Sequence, residues 1–214
     1  MFGSKKRELT RKVNDLTSQL AAKAGVEEKL TTALLEKNKL ADQLEAHKTA
    51  VRILPLISMS DRKSQEALAS AIADTLNDAP QKTVYLGDRD ALNKAFWEAV
   101  DPLAKAGVLK THTVDNQQYG ADVDLGIFSK PLKTSEAALA VLRGISEELA
   151  QAKPGIVSIK IELKDGGVSL QFTSESGSRV GTERMRALVE AAQMLGMESG
   201  VNGSSVFLVA PKLA

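Results

Sequence analysis

Leu9 to Val51 reads LTRKVNDLTSQLAAKAGVEEKLTTALLEKNKLADQLEAHKTAV, and its spacing decides the architecture. Steps of four and three place Leu9, Val13, Leu16, Leu20, Leu30, Leu34, Ala41, Leu44 and Val51 on one stripe. A repeat near 3.5 residues keeps one helical seam facing a partner helix and imposes a left-handed supercoil. Lys, Glu, Gln, Asn and Asp fill the flanking positions, as a solvated face requires. The stretch is therefore expected to be a coiled-coil arm. Lys23, Glu27, Lys37 and Lys48 interrupt the stripe, and Gly25, worth about 1 kcal/mol less than alanine inside a helix, marks a weak point. One long helix pairing with another chain, a hairpin folded back at Ala24-Gly25-Val26, and a lone helix packed on its own domain all fit. The register continues across the gap, which a fold-back would not need, so self-association is the preferred reading, most simply as a dimer.

The chain has 214 residues, 43% hydrophobic and 26% charged, enough for the arm plus one further domain. A net charge of +1 gives no global preference for nucleic acid or anionic membrane. With no cysteine, disulfides, thiolate metal sites and thiol nucleophiles are all excluded. Met1 to Arg7 has no apolar run behind it, so it does not read as a secretory signal, and a cytoplasmic location is expected. Lys5, Lys6, Arg7, Arg11 and Lys12 form a basic start interrupted by Glu8. DNA-binding leucine-zipper factors also carry a basic segment ahead of a zipper, but here no further Asn or Arg is placed to read base edges. Only weak, salt-sensitive attraction to nucleic acid or membrane is expected of it.

Pro55 should end the arm, and Ser60 or Asp61 should cap a helix running to Leu76, whose Leu68, Ala71, Ile72 and Leu76 share a face. Asn77-Asp78-Ala79-Pro80 stops it. The expected boundaries are thus an arm over 1–54, a helical connector over 55–80 and an α+β domain over 81–214. Within that domain Thr83–Leu86 reads as a strand, followed by a helix with Leu92, Phe96, Ala99 and Leu103 on one side and Gly107 closing it. Val108–Val114 and Ala121–Phe128 alternate as strands about a polar loop, Asp115–Gly120. Thr134 should cap a helix carrying Ala138, Leu142, Ile145 and Leu149, ended by Pro154-Gly155. Asp165-Gly166 joins the alternating runs Ile156–Leu163 and Val168–Phe172, a strong hairpin signal. A helix over Thr182–Leu195 and a strand over Ser205–Ala210 complete the chain. The unit of helix then hairpin occurs twice and begins a third time. The fold class expected is α+β, a mainly antiparallel sheet covered on one face by helices behind a coiled-coil arm.

Chemistry is sparse. His112, Lys110, Asp122 and Asp124 could meet across a hairpin, yet cross-strand charge pairing on a solvated face explains them more simply than a metal. No catalytic, metal or cofactor set is assigned. The Ser174–Gly181 loop offers more: Ser176, Gly177, Ser178, Arg179, Gly181 and Thr182 lie between a strand and a helix N-terminus, where free N–H groups and the dipole suit phosphate. Arg184 and Arg186 add charge. The spacing is too short for a P-loop, and no lysine precedes Thr182.

Gly87-Asp88-Arg89-Asp90-Ala91-Leu92-Asn93-Lys94-Ala95-Phe96 resembles the entry to the first ATP-binding helix of histidine kinases. The segment from Gly181 through Gly203-Ser204-Ser205-Val206-Phe207-Leu208-Val209-Ala210-Pro211 is similar to the last helix and strand of that domain. The sequence departs from the family at Glu98 and Pro102, where it places asparagines, and it lacks the Asp-x-Gly-x-Gly and Gly-x-Gly motifs. His47-Lys48-Thr49 does not reproduce the phosphoacceptor surroundings. The function expected from the residues is a non-enzymatic, oligomerising adaptor or scaffold whose domain binds a protein partner. The resemblance implies the alternative, a degenerate histidine-kinase-like domain binding a nucleotide or phosphate.

Overall fold

The computed structural model describes residues 2–79, 83–86, 89–114, 117–120, 132–152, 155–164 and 167–210. They divide into two compact units, Met1–Ala46 and His47–Ala214.

The first unit is helix. Helix α1 spans Phe2–Ile53 without a break at Gly25. Thr17, Thr31 and Thr32 donate their hydroxyls to the carbonyls of Val13, Glu27 and Glu28, one turn back, which accommodates these side chains inside a helix. Of the expected seam, Val13, Leu16, Leu20, Leu30, Leu34, Leu44 and Val51 are 50–73% exposed, and Ala41 is exposed too. The side chain of Leu9 lies outside the described residues.

In the second unit, α1 ends before Pro55 in a 3-10 turn, Leu54–Leu56, as proline's missing N–H dictates. Ala50, Ile53, Ile57 and Met59 on either side of that turn are buried in the main core. Helix α2 (Arg62–Leu76) begins at the expected cap, with the Asp61 carboxylate accepting from the Ser64 N–H at 3.0 Å. Strand β1 (Thr83–Leu86) and helix α3 (Arg89–Lys105) follow, with Phe96, Ala99, Val100 and Leu103 buried.

Strands β2 (Leu109–Val114) and β3 (Gln117–Gly120) pair antiparallel from Val114↔Gln117. The expected loop Asp115–Gly120 is thus corrected: four of its residues are strand. Polar Gln117 and Gln118 at the sheet's margin satisfy the ladder through backbone groups alone, without apolar alternation. The expected strand Ala121–Phe128 lies outside the described residues. Strand β4 (Leu132–Ser135) pairs with β1 and takes in Thr134, opposite Val84. The cap of helix α4 (Glu136–Ala152) is therefore Ser135, whose Oγ accepts from Ala138 N–H at 3.0 Å, and not Thr134.

Strands β5 (Val157–Lys164) and β6 (Gly167–Ser174) form the hairpin signalled by Asp165-Gly166. Helix α5 (Glu183–Met194) is capped by Thr182, which accepts from Met185 N–H at 3.0 Å. Strand β7 (Glu198–Asn202), not anticipated from its polar, glycine-bearing sequence, pairs with β8 (Ser205–Ala210). Gly200 lies opposite Phe207, and a Cβ there would approach the ring to 2.6 Å, so the aromatic ring covers the bare backbone. Helix then hairpin therefore recurs three times in order, as α3-β2-β3, α4-β5-β6 and α5-β7-β8.

The main sheet runs β3-β2-β5-β6-β8-β7. β5, β6, β8 and β7 form an antiparallel block, and β2 joins it parallel to β5. Val157, Ile159, Ile161, Leu170, Phe172, Val206 and Leu208 face one core, shared with α2 to α5. Lys160, Gln171 and Phe207 face solvent on the other side. Helix α4 packs against α2, α3 and α5 and is the centre of the helical layer. The fold is α+β, with a mainly antiparallel sheet covered by helices behind a long N-terminal helix. Among the described residues, no helix is long and apolar enough to cross a membrane.

Candidate functional site

The β6–α5 loop gathers most of the residues singled out from the sequence. Ser174 closes β6 and is buried, its N–H donating to Ser204 O at 2.9 Å. Gly177 turns the chain with φ +72° and donates to Ser174 O at 3.1 Å, a conformation that side chains rarely adopt. Three hydroxyls follow one another along the loop: Ser174 to Ser176 at 3.0 Å, and Ser176 to Ser178 at 2.8 Å. Gly155 lets the chain after α4 pass close beneath, since a Cβ there would sit 2.9 Å from Ser176 Oγ. Val180 is buried and donates to Gly203 O at 3.2 Å, which anchors the far side. Between these anchors Ser176, Gly177, Ser178 and Arg179 are exposed.

The helix end beside the loop is organised differently from the expectation. Thr182 Oγ1 caps α5 and also donates to Glu148 Oε1 at 2.6 Å. Glu183 adds a second carboxylate in the first turn. The positive end of the α5 dipole thus faces acidic groups of the chain itself. Arg184 does not join Arg179; it turns inward to Glu148 Oε2 at 3.0 Å and Glu147 Oε2 at 3.2 Å. Arg186 is exposed. The structure brings Ser176, Gly177, Ser178 and Arg179 together on an open face and commits Thr182 to capping.

Sequence reasoning missed the buried charges behind the loop. Glu147 and Glu148 are both buried on α4. Glu147 accepts from Ser60 N–H at 3.1 Å, from the Ser60 hydroxyl, and from Arg143 Nε at 3.4 Å. Arg184 also donates to the Ser58 carbonyl, while its buried Nε has no partner among the described residues. One signal was available: Glu148 falls on the apolar stripe of Ala138, Val141 and Ile145, and a carboxylate on a core-facing stripe needs a buried cation.

Elsewhere, a cleft of about 250 Å³ between α2, α3 and α4 is floored by Ala67, Ala99 and Ala140. Its walls carry Lys63, Glu98, Glu136 and Arg143, charges of both signs. Arg143 there already donates to Glu98 O at 3.2 Å. His112 is on β2 opposite Tyr119, and Asp122 and Asp124 lie outside the described residues. Among the described residues, no group of three His, Asp or Glu side chains is arranged to hold a metal. Arg11 and Lys12 are exposed on α1, and the side chains of Lys5, Lys6 and Arg7 lie outside the described residues.

No protein-family model matches the chain, and neither does any curated protein. Solved structures do match. The histidine kinase AdeS of Acinetobacter baumannii is 12% identical with a TM-score of 0.36, over 80% of this chain and 95% of that one. The cytoplasmic segment of the histidine kinase QseC is 8% identical with a TM-score of 0.41, over 73% and 97%. The blue-light-activated histidine kinase EL346 of Erythrobacter litoralis is 16% identical with a TM-score of 0.38, over 80% and 63%. All three are histidine kinases. The expectation of a non-enzymatic, oligomerising adaptor is corrected on that finding. A 3.5-residue stripe speaks to how a helix associates and is silent on what the attached domain does.

Proposed function

We propose that this chain is a signalling domain of histidine-kinase type that binds a phosphate-bearing ligand at the Ser174–Gly181 loop. The observation that carries the proposal is the run of hydroxyls from Ser174 through Ser176 to Ser178, ending beside exposed Arg179. Hydroxyls and a guanidinium are the donors that phosphate oxygens accept from, and a charge-assisted bond from arginine is the strongest of them. The resemblance carried by Gly87–Phe96 and Gly181–Pro211 supports the same class. Glu98 and Pro102 stand where that family places asparagines, so the reading is one of binding without hydrolysis.

Calorimetry tests it with ADP, with ATP and magnesium, and with inorganic phosphate. Binding is expected, and Arg179→Ala should weaken it about tenfold, near the worth of one charge-assisted hydrogen bond. No heat with any of the three at millimolar concentration, or affinity indifferent to Arg179→Ala, would reject the site. Tight magnesium-dependent ATP binding followed by turnover would reject the non-hydrolytic part alone.

The α1 stripe supports a second element of the proposal, self-association of the arm. Seven large apolar side chains at coiled-coil spacing are half or more exposed, and a second copy of the same helix offers the matching stripe.

A further inference from the structure

The buried charges behind the loop join two places that the proposed binding reaction does not itself connect. One is the segment Ser58–Ser60, leading from the end of α1 into α2. The other is Thr182, the last residue of the loop and the cap of α5. Between them stand Glu147, Glu148 and Arg184. Adjacent buried carboxylates repel, and each is stable only while donors face it. Glu147 draws donors from Ser60, Arg143 and Arg184; Glu148 draws them from Arg184 and Thr182. Arg184 is the cation the two share.

That sharing makes the two ends interdependent. If Ser60 withdraws, Glu147 loses its N–H and hydroxyl donors and competes more strongly for Arg184. Glu148 is then left leaning on Thr182, whose hydroxyl oxygen is also the cap of α5. The unpartnered Nε of Arg184 gives the guanidinium a spare donor, so a shifted arrangement exchanges one set of bonds for another instead of simply losing them. The end of α1 is bound to the same helix, since Arg52 pairs with Glu190 of α5 and Ile53 is buried.

We propose that Arg184, shared between Glu147 and Glu148, couples the position of the Ser58–Ser60 segment to the conformation of the Ser174–Thr182 loop. The functional consequence, control of ligand affinity by the end of α1, rests on the phosphate-binding reading; the coupling does not.

Hydrogen exchange on the full chain, paired with ADP calorimetry, tests it. Ser60→Ala removes only a hydroxyl at the connector, so folding is retained. Exchange at Val180, Met185 and Arg186 is expected to speed up about fivefold, the lower end of typical couplings between sites. ADP affinity is expected to fall by a similar factor. Arg184→Gln should produce both changes more strongly, and if that variant does not fold, Ser60→Ala alone decides. Changes confined to residues 58–65 in Ser60→Ala would overturn the coupling. Absence of ADP binding by the wild type counts against the loop reading only, and hydrogen exchange then decides the coupling by itself.

Discussion

Asp61 accepts two bonds from Ser64, one from its hydroxyl and one from its backbone N–H. Those bonds, the hydroxyl first, pull its carboxyl below the ordinary value of 3.8. A depressed folded-state pKa contributes stability that is complete above the unfolded value and lost as pH falls through the folded one. Asp61→Ala should therefore lower stability by about 1 kcal/mol at neutral pH, with the difference from wild type shrinking below about pH 4 in urea titrations. Gly144 is the opposite kind of position. A Cβ there would come within 2.6 Å of Leu188 Cδ2 and 2.9 Å of Met59 Cε. Alanine gains about 1 kcal/mol of helix propensity, while overpacking costs about 1–3 kcal/mol. A net loss of about 1 kcal/mol is expected for Gly144→Ala, and a rise in Tm would show that Leu188 and Met59 yield freely. At this scale the sequence was legible wherever partners are near in the chain. The Asp61 and Thr182 caps reach only three residues ahead. Glu148 and Arg184 are far apart in sequence, so a stripe position shows that a cation is needed without showing which one supplies it.

Among the elements, α1 passes through Gly25 although glycine disfavours it, and nothing lies within 4 Å of the Cβ it lacks. Gly25→Ala should raise the stability of α1 by about 1 kcal/mol, read as slower amide exchange over residues 20–30. Unchanged exchange there would mean the helix is held by something other than its own backbone bonds. Helices were legible because buried positions repeat at their period, as Ala138, Leu142, Ile145 and Leu149 do. Strands were legible where one face is buried, as at Ile159 and Ile161. β7 escaped notice because its order comes from a neighbour, the Phe207 ring lying over Gly200, and no alternation within Glu198–Asn202 announces it.

For the molecule as a whole, the solution mass of the full chain is to be compared with a chain beginning at His47. The cut belongs there because Ala50, Ile53 and Ile57 are core residues that a later start would strip away. The full chain should be a dimer or larger and the shortened one a monomer. Leu16→Glu with Leu34→Glu should abolish the difference, since each apolar burial is worth about 1.5–3 kcal/mol and a buried carboxylate is worse than a void. Equal association states for both chains would remove the self-association proposal. Any attraction of Lys5–Lys12 to DNA or anionic vesicles should fade near physiological salt, where the Debye length is about 8 Å. Submicromolar binding that survives such salt would contradict this. The fold class was readable from periodicity together with turn and stop residues; the stripe that dominates the sequence belongs to the arm and is silent on what the attached domain does.

The parallel junction of β2 with β5 bears on how the chain reaches its native state. The hairpins β5–β6 and β7–β8 close over short loops, whereas Thr111 and Ser158 lie 47 residues apart in the chain. Long closures carry more entropy and form late, so the β5–β6 and β7–β8 hairpins should form first and the β2–β3 hairpin dock onto β5 afterwards. In stopped-flow experiments, Leu170→Ala in β6 should chiefly slow refolding, and Leu109→Ala in β2 should chiefly speed unfolding. The free edge of β5 is exposed in the interval, and a nascent chain is open to strand-mediated misassociation there until docking is complete.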